Sequence, residues 1–415
     1  MTEEQEQALQ LATEAGHILL ENGAEISRVE ETMTRIASAY GVEEESFFVL
    51  SNGIIATGQH YARAEFIPIK GTQLAKVAAV NQLSRDVAGG VLPVETLRAR
   101  LQAIRSMPGK PWWELAAGVA VGVSSFSILF GGSLADAAAT LAAGVLLGLF
   151  MAFVLPHMSR LVGNVAGGLA GGLLCILFMK AFMLSMPHLH LHLANMIIGT
   201  IIALVPGVPF TNGMRDLANE DYIAGTTRLT DAFLVFLCIA VGVALALIID
   251  GMAMGSIVQL DSPVKDPLAA HWAIQVAAAF VGTVGFSALF GAPRRFYVEC
   301  GVAGMVGWAV YLLVDVWWSV VGAAFFAALA VAAISHLLAK WRRCPVTVFL
   351  ICGIIPLVPG GGIFWTAYYL VTNQLWTAAS VGFTALKVTI AIAGGIILAS
   401  AIMNKLIIRK RYAQG

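Results

Sequence analysis

Proline followed by glycine occurs twice inside apolar runs, as Ile201-Ile202-Ala203-Leu204-Val205-Pro206-Gly207 and as Ile354-Ile355-Pro356-Leu357-Val358-Pro359-Gly360. Proline removes a backbone donor and clashes with the preceding helical turn, so each run must break or kink there. In hydrocarbon, the freed carbonyls and amides need neighbours, water or a ligand. A half-helix starting after such a break aims its first amides at an anionic group such as a carboxylate. The chemistry on offer is solute binding. Gly361 and Gly362 widen the second break, and the polar run Phe210-Thr211-Asn212-Gly213-Met214-Arg215-Asp216 follows the first. Asn195 and Asn212 flank the first break with amides suited to a small polar substrate, and Asp216 ends the run.

Two charges inside apolar spans join these candidates. An ionised group at the bilayer centre costs about 2.5–3.5 kcal/mol, so Lys387 and Glu299 are expected to line a pathway. Asp231 and Asp315 fall near span ends, and Lys180 can snorkel outward. His188, His190 and His192 alternate, and residues two apart on a helix point away from each other. With no acidic partner near in sequence, they read as interfacial histidines and not as a metal site. The five cysteines lie in or beside apolar spans without CxxC spacing, so packing is their expected role. No GxxxxGK(S/T), HExxH or GxSxG motif occurs, so ATP hydrolysis and common hydrolase chemistry find no support. The sequence calls for no cofactor, catalytic group, metal or nucleic-acid partner.

The elements that position these residues are duplicated. Val121 to Gly131 (VGVSSFSILFG) recurs as Val281 to Gly291 (VGTVGFSALFG), at an offset of 160 residues, and the two breaks recur at an offset of 153. Repeats with interrupted helices at matched positions point to the binding site of a secondary transporter. The chain is 58% hydrophobic and 12% charged, with a mean hydropathy of +0.81. Soluble domains carry roughly 25% charged residues, so most of this chain faces something other than water. Ten stretches are long enough to span a bilayer: 113–132, 135–155, 162–184, 190–208, 230–250, 271–291, 297–314, 317–338, 345–371 and 377–403. With the amino terminus inside, twelve basic residues of the loops and tail fall inside and two, Lys180 and Lys265, outside. The positive-inside rule therefore favours cytoplasmic termini in a multi-pass plasma-membrane protein. Five spans per copy is an odd number, which predicts two inverted repeats, 111–252 and 270–405, ahead of a basic tail at 406–415. Glycines at four-residue spacing, such as Gly163, Gly167 and Gly171, suit close helix packing. Homo-oligomerisation stays open.

Residues 1–110 hold 14 acidic and 10 basic side chains, nearly half of the chain's charge, and read as a cytoplasmic α+β domain. The acidic start lacks the basic and apolar regions of a cleaved signal peptide. Leu9, Ala12, Ala15, Ile18 and Leu19 keep helical spacing, and Asn22-Gly23 breaks the run. Ser27 and Glu30 predict a capping box at the head of a second helix, which would leave Glu25, Ser27, Arg28 and Glu30 on a solvated face. Phe47 to Leu50, Ile54 to Thr57 and Tyr61 to Ile69 predict a small antiparallel sheet. Gln73 to Val87 and Pro93 to Arg105 return to helix.

Asn22-Gly23-Ala24-Glu25-Ile26-Ser27-Arg28-Val29-Glu30 and Ala79-Val80-Asn81-Gln82-Leu83-Ser84-Arg85 resemble the soluble segment of the threonine/serine exporter family. The paired Leu-Val-Pro-Gly motifs are similar to that family's two membrane modules, fused here over nearly the whole chain. The resemblance implies export of threonine and serine driven by the proton-motive force, with protons or another coupling ion as partner. Split relatives are associated with succinate, so a dicarboxylate is the alternative substrate. An enzyme or sensor residing in the head is the alternative of another class.

Overall fold

The protein is described by a computed structural model that places residues 2–42, 46–58, 61–68, 71–186, 188, 190–218, 220–254, 260 and 265–412. The head contains α1 (Glu3–Glu21), α2 (Ile26–Ala39), β1 (Ser46–Leu50), β2 (Gly53–Gly58), β3 (Tyr61–Phe66), α3 (Leu74–Gly89) and α4 (Val94–Arg105). The strands form one antiparallel sheet in the order β1-β2-β3. The predicted extension of the third strand does not form: β3 ends at Phe66, and Ile69 lies outside the described residues. Leu9, Ala12, Ala15, Ile18 and Leu19 of α1 pack on Val29, Met33 and Ile36 of α2 in one core. Gly23, at φ +81°, makes the turn between them, a backbone conformation that glycine adopts without a steric penalty.

The capping box predicted at Ser27 is absent. Glu25 is the N-cap residue of α2, and its side chain makes no capping bond. Glu30 instead accepts from the Val49 amide at 3.3 Å. Glu25 is also far from solvated, being 3% exposed.

The membrane body begins with α5 (Trp112–Leu129), α6 (Leu134–Phe153), α7 (Arg160–Ser185), α8 (Leu193–Ile201), α9 (Gly207–Ala218) and α10 (Tyr222–Met254). It continues with α11 (Trp272–Leu289), α12 (Tyr297–Asp315), α13 (Val320–Arg342), α14 (Val346–Ile354), α15 (Gly360–Val371) and α16 (Leu375–Tyr412). Among the described residues eight helices are long and apolar enough to cross a membrane, or nine if α14 and α15, bent by 51° at their break, form one span. The stretch 190–208 supplies no continuous span. The link 202–206 ends α8 after nine residues, a rise of about 14 Å against a core of about 30 Å. The α9 helix that follows carries Thr211, Asn212, Arg215 and Asp216, which lowers its apolarity.

The matched motifs pack on each other. Helix α5 starts beside the head, whereas the end of α11 reaches it, with the Leu74 and Ala75 amides donating to Phe290 and Gly291 carbonyls. The two helices therefore run antiparallel. The Phe286 ring lies over Gly122 and the Phe126 ring over Gly282, and the two rings sit 5.0 Å apart. The Gly122–Phe286 contact is thus repeated, with the two motifs exchanged, as Gly282–Phe126. Gly118 and Gly285 bring the backbones close: a Cβ on either would stand 2.7 Å from the other's carbonyl oxygen.

Candidate functional site

The two Pro-Gly breaks face each other in the interior. A Cβ on Gly207 would meet Ile355 Cδ1 at 3.0 Å and Val358, while one on Gly360 would meet Ile202 Cδ1 at 2.7 Å and Val205 at 3.3 Å. Ile202 and Val205 are the counterparts of Ile355 and Val358, so this contact too is reciprocal. Ile202, Ala203, Val205, Ile355, Leu357 and Val358 are buried in one apolar cluster. Between the breaks they form an apolar plug. Gly361 packs on the Phe130 ring and Ile198, and Asn195 donates to the Phe130 carbonyl at 3.1 Å.

A cavity lies beside each break, at opposite ends of the bundle. The one nearer the head, about 490 Å³, is lined by Gly23, Thr72, Asn164, Val208, Pro209 and Asn212, with Arg160, Arg228 and Asp231 at its wall. The start of α9 faces it. The cavity at the far end, about 540 Å³, is lined by Pro359 and Gly362 at the start of α15, with Gln275, Trp308, Tyr311 and Thr384. Trp308 donates to Gln275 at 3.0 Å and stacks on Tyr311.

Unsatisfied polar atoms mark the nearer cavity. Asn212, 2% exposed, donates its amide to the Gly23 carbonyl at 3.0 Å, which leaves its Oδ1 buried without a partner among the described residues. Asn164 Nδ2 is likewise buried and unpartnered. Native buried polar groups rarely lack partners, so these two atoms are available to a water or a polar solute in the cavity. The charges around them are paired: Arg160 with Asp231 at 2.5 Å, and Arg228 with Asp216 at 2.8 Å.

The head closes this end of the body. Its Asn22 to Glu25 turn touches both broken helices. Besides the Asn212 bond, Arg228 donates to the Ala24 carbonyl at 3.1 Å. Glu25 pairs with Arg215 of α9 at 2.5 Å and accepts from Thr347 of α14 at 2.8 Å. Burial works to raise the Glu25 carboxyl, but the nearby Arg215 and Arg28 charges and the two hydrogen bonds outweigh it and hold it below the usual carboxylate range. A depressed carboxylate stabilises the docked state above its unfolded value and loses that contribution as acid protonates it. Head docking should therefore hold from neutral pH down to about 4.5 and loosen only below that. Limited proteolysis of the 106–111 link across that range checks this.

Sequence reasoning placed Asn195, Pro206, Gly207, Asn212 and Pro359 to Gly362 at or beside the breaks, where the structure also has them. Asp216 lies further along α9, buried in its ion pair with Arg228 and lining neither cavity. Glu299 lies elsewhere, buried near the head end of α12 in an ion pair with Arg342. Lys387 is exposed on α16 between Leu386 and Val388 and lines neither cavity. Lys387→Met should leave solute movement across reconstituted vesicles within about twofold of the unaltered protein, as expected for an outward-facing side chain. His192, read as lacking an acidic partner, has one: its backbone amide and Nδ1 meet Asp136 at 2.7 and 3.1 Å. No group of three metal-ligating residues occurs among the described residues. Asn164 and Glu25 were missed as site residues. Asn164 sits in the glycine-rich run of α7, where its isolation as the polar residue was the available signal.

Apolar helices packed around two facing breaks, each beside its own cavity, have the organisation of a secondary transporter. The threonine/serine exporter family model matches residues 10–249, and a second model described as Threonine/Serine exporter matches 275–402. The chain belongs to this family, and its role is transport and not catalysis. It is 23% identical to the threonine/serine exporter of Corynebacterium glutamicum over 96% of this chain and 83% of that protein. It is 25% identical to the probable succinate transporter subunit YjjP of Escherichia coli over 60% of this chain and 98% of that subunit. No solved structure matches the chain.

Proposed function

We propose that the protein exports threonine and serine from the cytoplasm, using the proton-motive force, by alternating exposure of a site beside the two breaks. The observation that carries this reading is the reciprocal plug between a cavity at the head end and one at the far end. Opening one side of such a plug while the other stays shut is alternating access. The reading includes ten crossings, with α8–α9 and α14–α15 each counted as one broken span, and two inverted halves with both termini in the cytoplasm. The antiparallel packing of α5 on α11 and the exchanged contacts at both motifs support it.

The cavity at the head end suits a zwitterion. Asn164 Nδ2 offers a donor to a carboxylate, while Asn212 Oδ1 accepts from an ammonium or a hydroxyl. The α9 start adds little, since the Gly207 and Phe210 amides already donate to the Val205 and Pro206 carbonyls and Pro209 has none. A dicarboxylate would call for two cationic sites, yet Arg160 and Arg228 are already neutralised by Asp231 and Asp216. Asn164→Ala should raise the KM for threonine by about tenfold or more with a smaller change in kcat, the loss of about one hydrogen bond to a charged group.

The test is a proteoliposome assay comparing threonine, serine and succinate with and without an imposed pH gradient. Gradient-stimulated movement of the two hydroxy amino acids is expected. Succinate movement alone, or indifference to the gradient, would overturn the reading.

A further inference from the structure

A second polar cleft, of about 260 Å³, opens in the head away from the breaks. Three elements each turn one stripe of side chains into it: Glu14 and His17 from α1, Arg63 and Glu65 from β3, and Arg98 and Arg105 from α4. His17 Nδ1 meets Glu65 at 2.9 Å, Arg63 also pairs with Glu65, and Arg105 reaches Glu14 at 3.4 Å. Arg98 is exposed and has no ion pair among the described residues. The cleft therefore displays both signs of charge a few side chains apart, in a volume below the usual range for drug-sized ligands.

We propose that this cleft is a cytoplasmic regulatory site for a free amino acid of the class the protein exports. Arg98 takes the carboxylate in a forked pair of hydrogen bonds, and Glu14 takes the ammonium, releasing Arg105. Occupancy reaches the transport site through α1 itself. The helix that carries Glu14 and His17 ends at the Asn22 to Glu25 turn, which holds Asn212, Arg228, Arg215 and Thr347. Helix α4, on the other wall, is joined to α5 by the short 106–111 link. Ligand in the cleft biases the head between gripping and releasing the broken helices.

The proposal rests on the exporter reading, and equilibrium binding of radiolabelled L-threonine to the purified full-length protein separates the two. Two sites per chain are expected, one lost in Arg98→Ala and the other in Asn212→Ala. In proteoliposomes, Arg98→Ala should turn a sigmoidal dependence of export on internal threonine into a hyperbolic one. If Arg98→Ala binds as much threonine as the unaltered protein, the cleft is an internal ion-pair network and the proposal fails while the exporter reading stands. If Arg98→Ala abolishes a site but Asn212→Ala does not, the cleft site stands and the assigned transport site fails. No threonine bound to any form overturns both.

Discussion

Glu25→Ala is expected to reduce export at least tenfold while leaving the protein folded in the membrane. The substitution strands Arg215, which is 17% exposed, and leaves Thr347 without its acceptor. Removing one partner of a buried ion pair costs about 3–5 kcal/mol, and the residual exposure of Arg215 places this case near the lower figure. The loss falls on the docking of the head and not on the body, whose helices carry their own apolar cores. Glu25→Gln, which keeps an acceptor for Thr347 but not the charge, should fall between the two. Initial export rates from proteoliposomes, with size-exclusion profiles for folding, check the series. Export that persists unchanged in Glu25→Ala would show that the turn is a passive contact.

Gly360→Leu should abolish most transport as well, by wedging the two breaks apart. The tip of Ile202 can yield to a single added carbon, so Gly360→Ala should be mild. Leucine adds three further carbons into the plug, and overpacking of that kind costs about 1–3 kcal/mol. Because the contact is reciprocal, Gly207→Leu, which drives into Ile355, should lose a comparable share of the rate. Gly90→Leu, in open space on the head, serves as the control. A Gly360→Leu protein that still exports at more than half the normal rate would remove the plug from the transport cycle.

Much of the body was legible because its signals are local. A Pro-Gly pair breaks a helix whatever surrounds it, and two copies in register show that the breaks are linked. The head's helices followed from side-chain period and its strands from β-prone runs, with the first hairpin turning at Ser51-Asn52 and Gly53 already paired with Leu50. What stayed hidden depends on contacts far apart in sequence. Glu25 looks like part of a solvated helix start until Arg215 and Thr347 arrive from 190 and 322 positions away. Lys387 was assigned to the pathway from its depth, but α16 is apolar nearly all round, so period alone does not reveal which face turns inward. Glu299 finds Arg342 across a helix pair, which no spacing rule announces. The stretch 190–208 has enough apolar residues for a span, yet its proline divides it before the membrane is crossed.

The central claim is that each break opens to its own face of the membrane while the plug between them is closed. Single cysteines in a cysteine-free background test it directly, with Ser159→Cys at the nearer cavity and Thr384→Cys at the farther one, both labelled by a membrane-impermeant thiol reagent. Labelling of Thr384→Cys from outside the cell only, and of Ser159→Cys from the cytoplasmic side only, is the predicted result. Labelling of both positions from the same side would contradict the account.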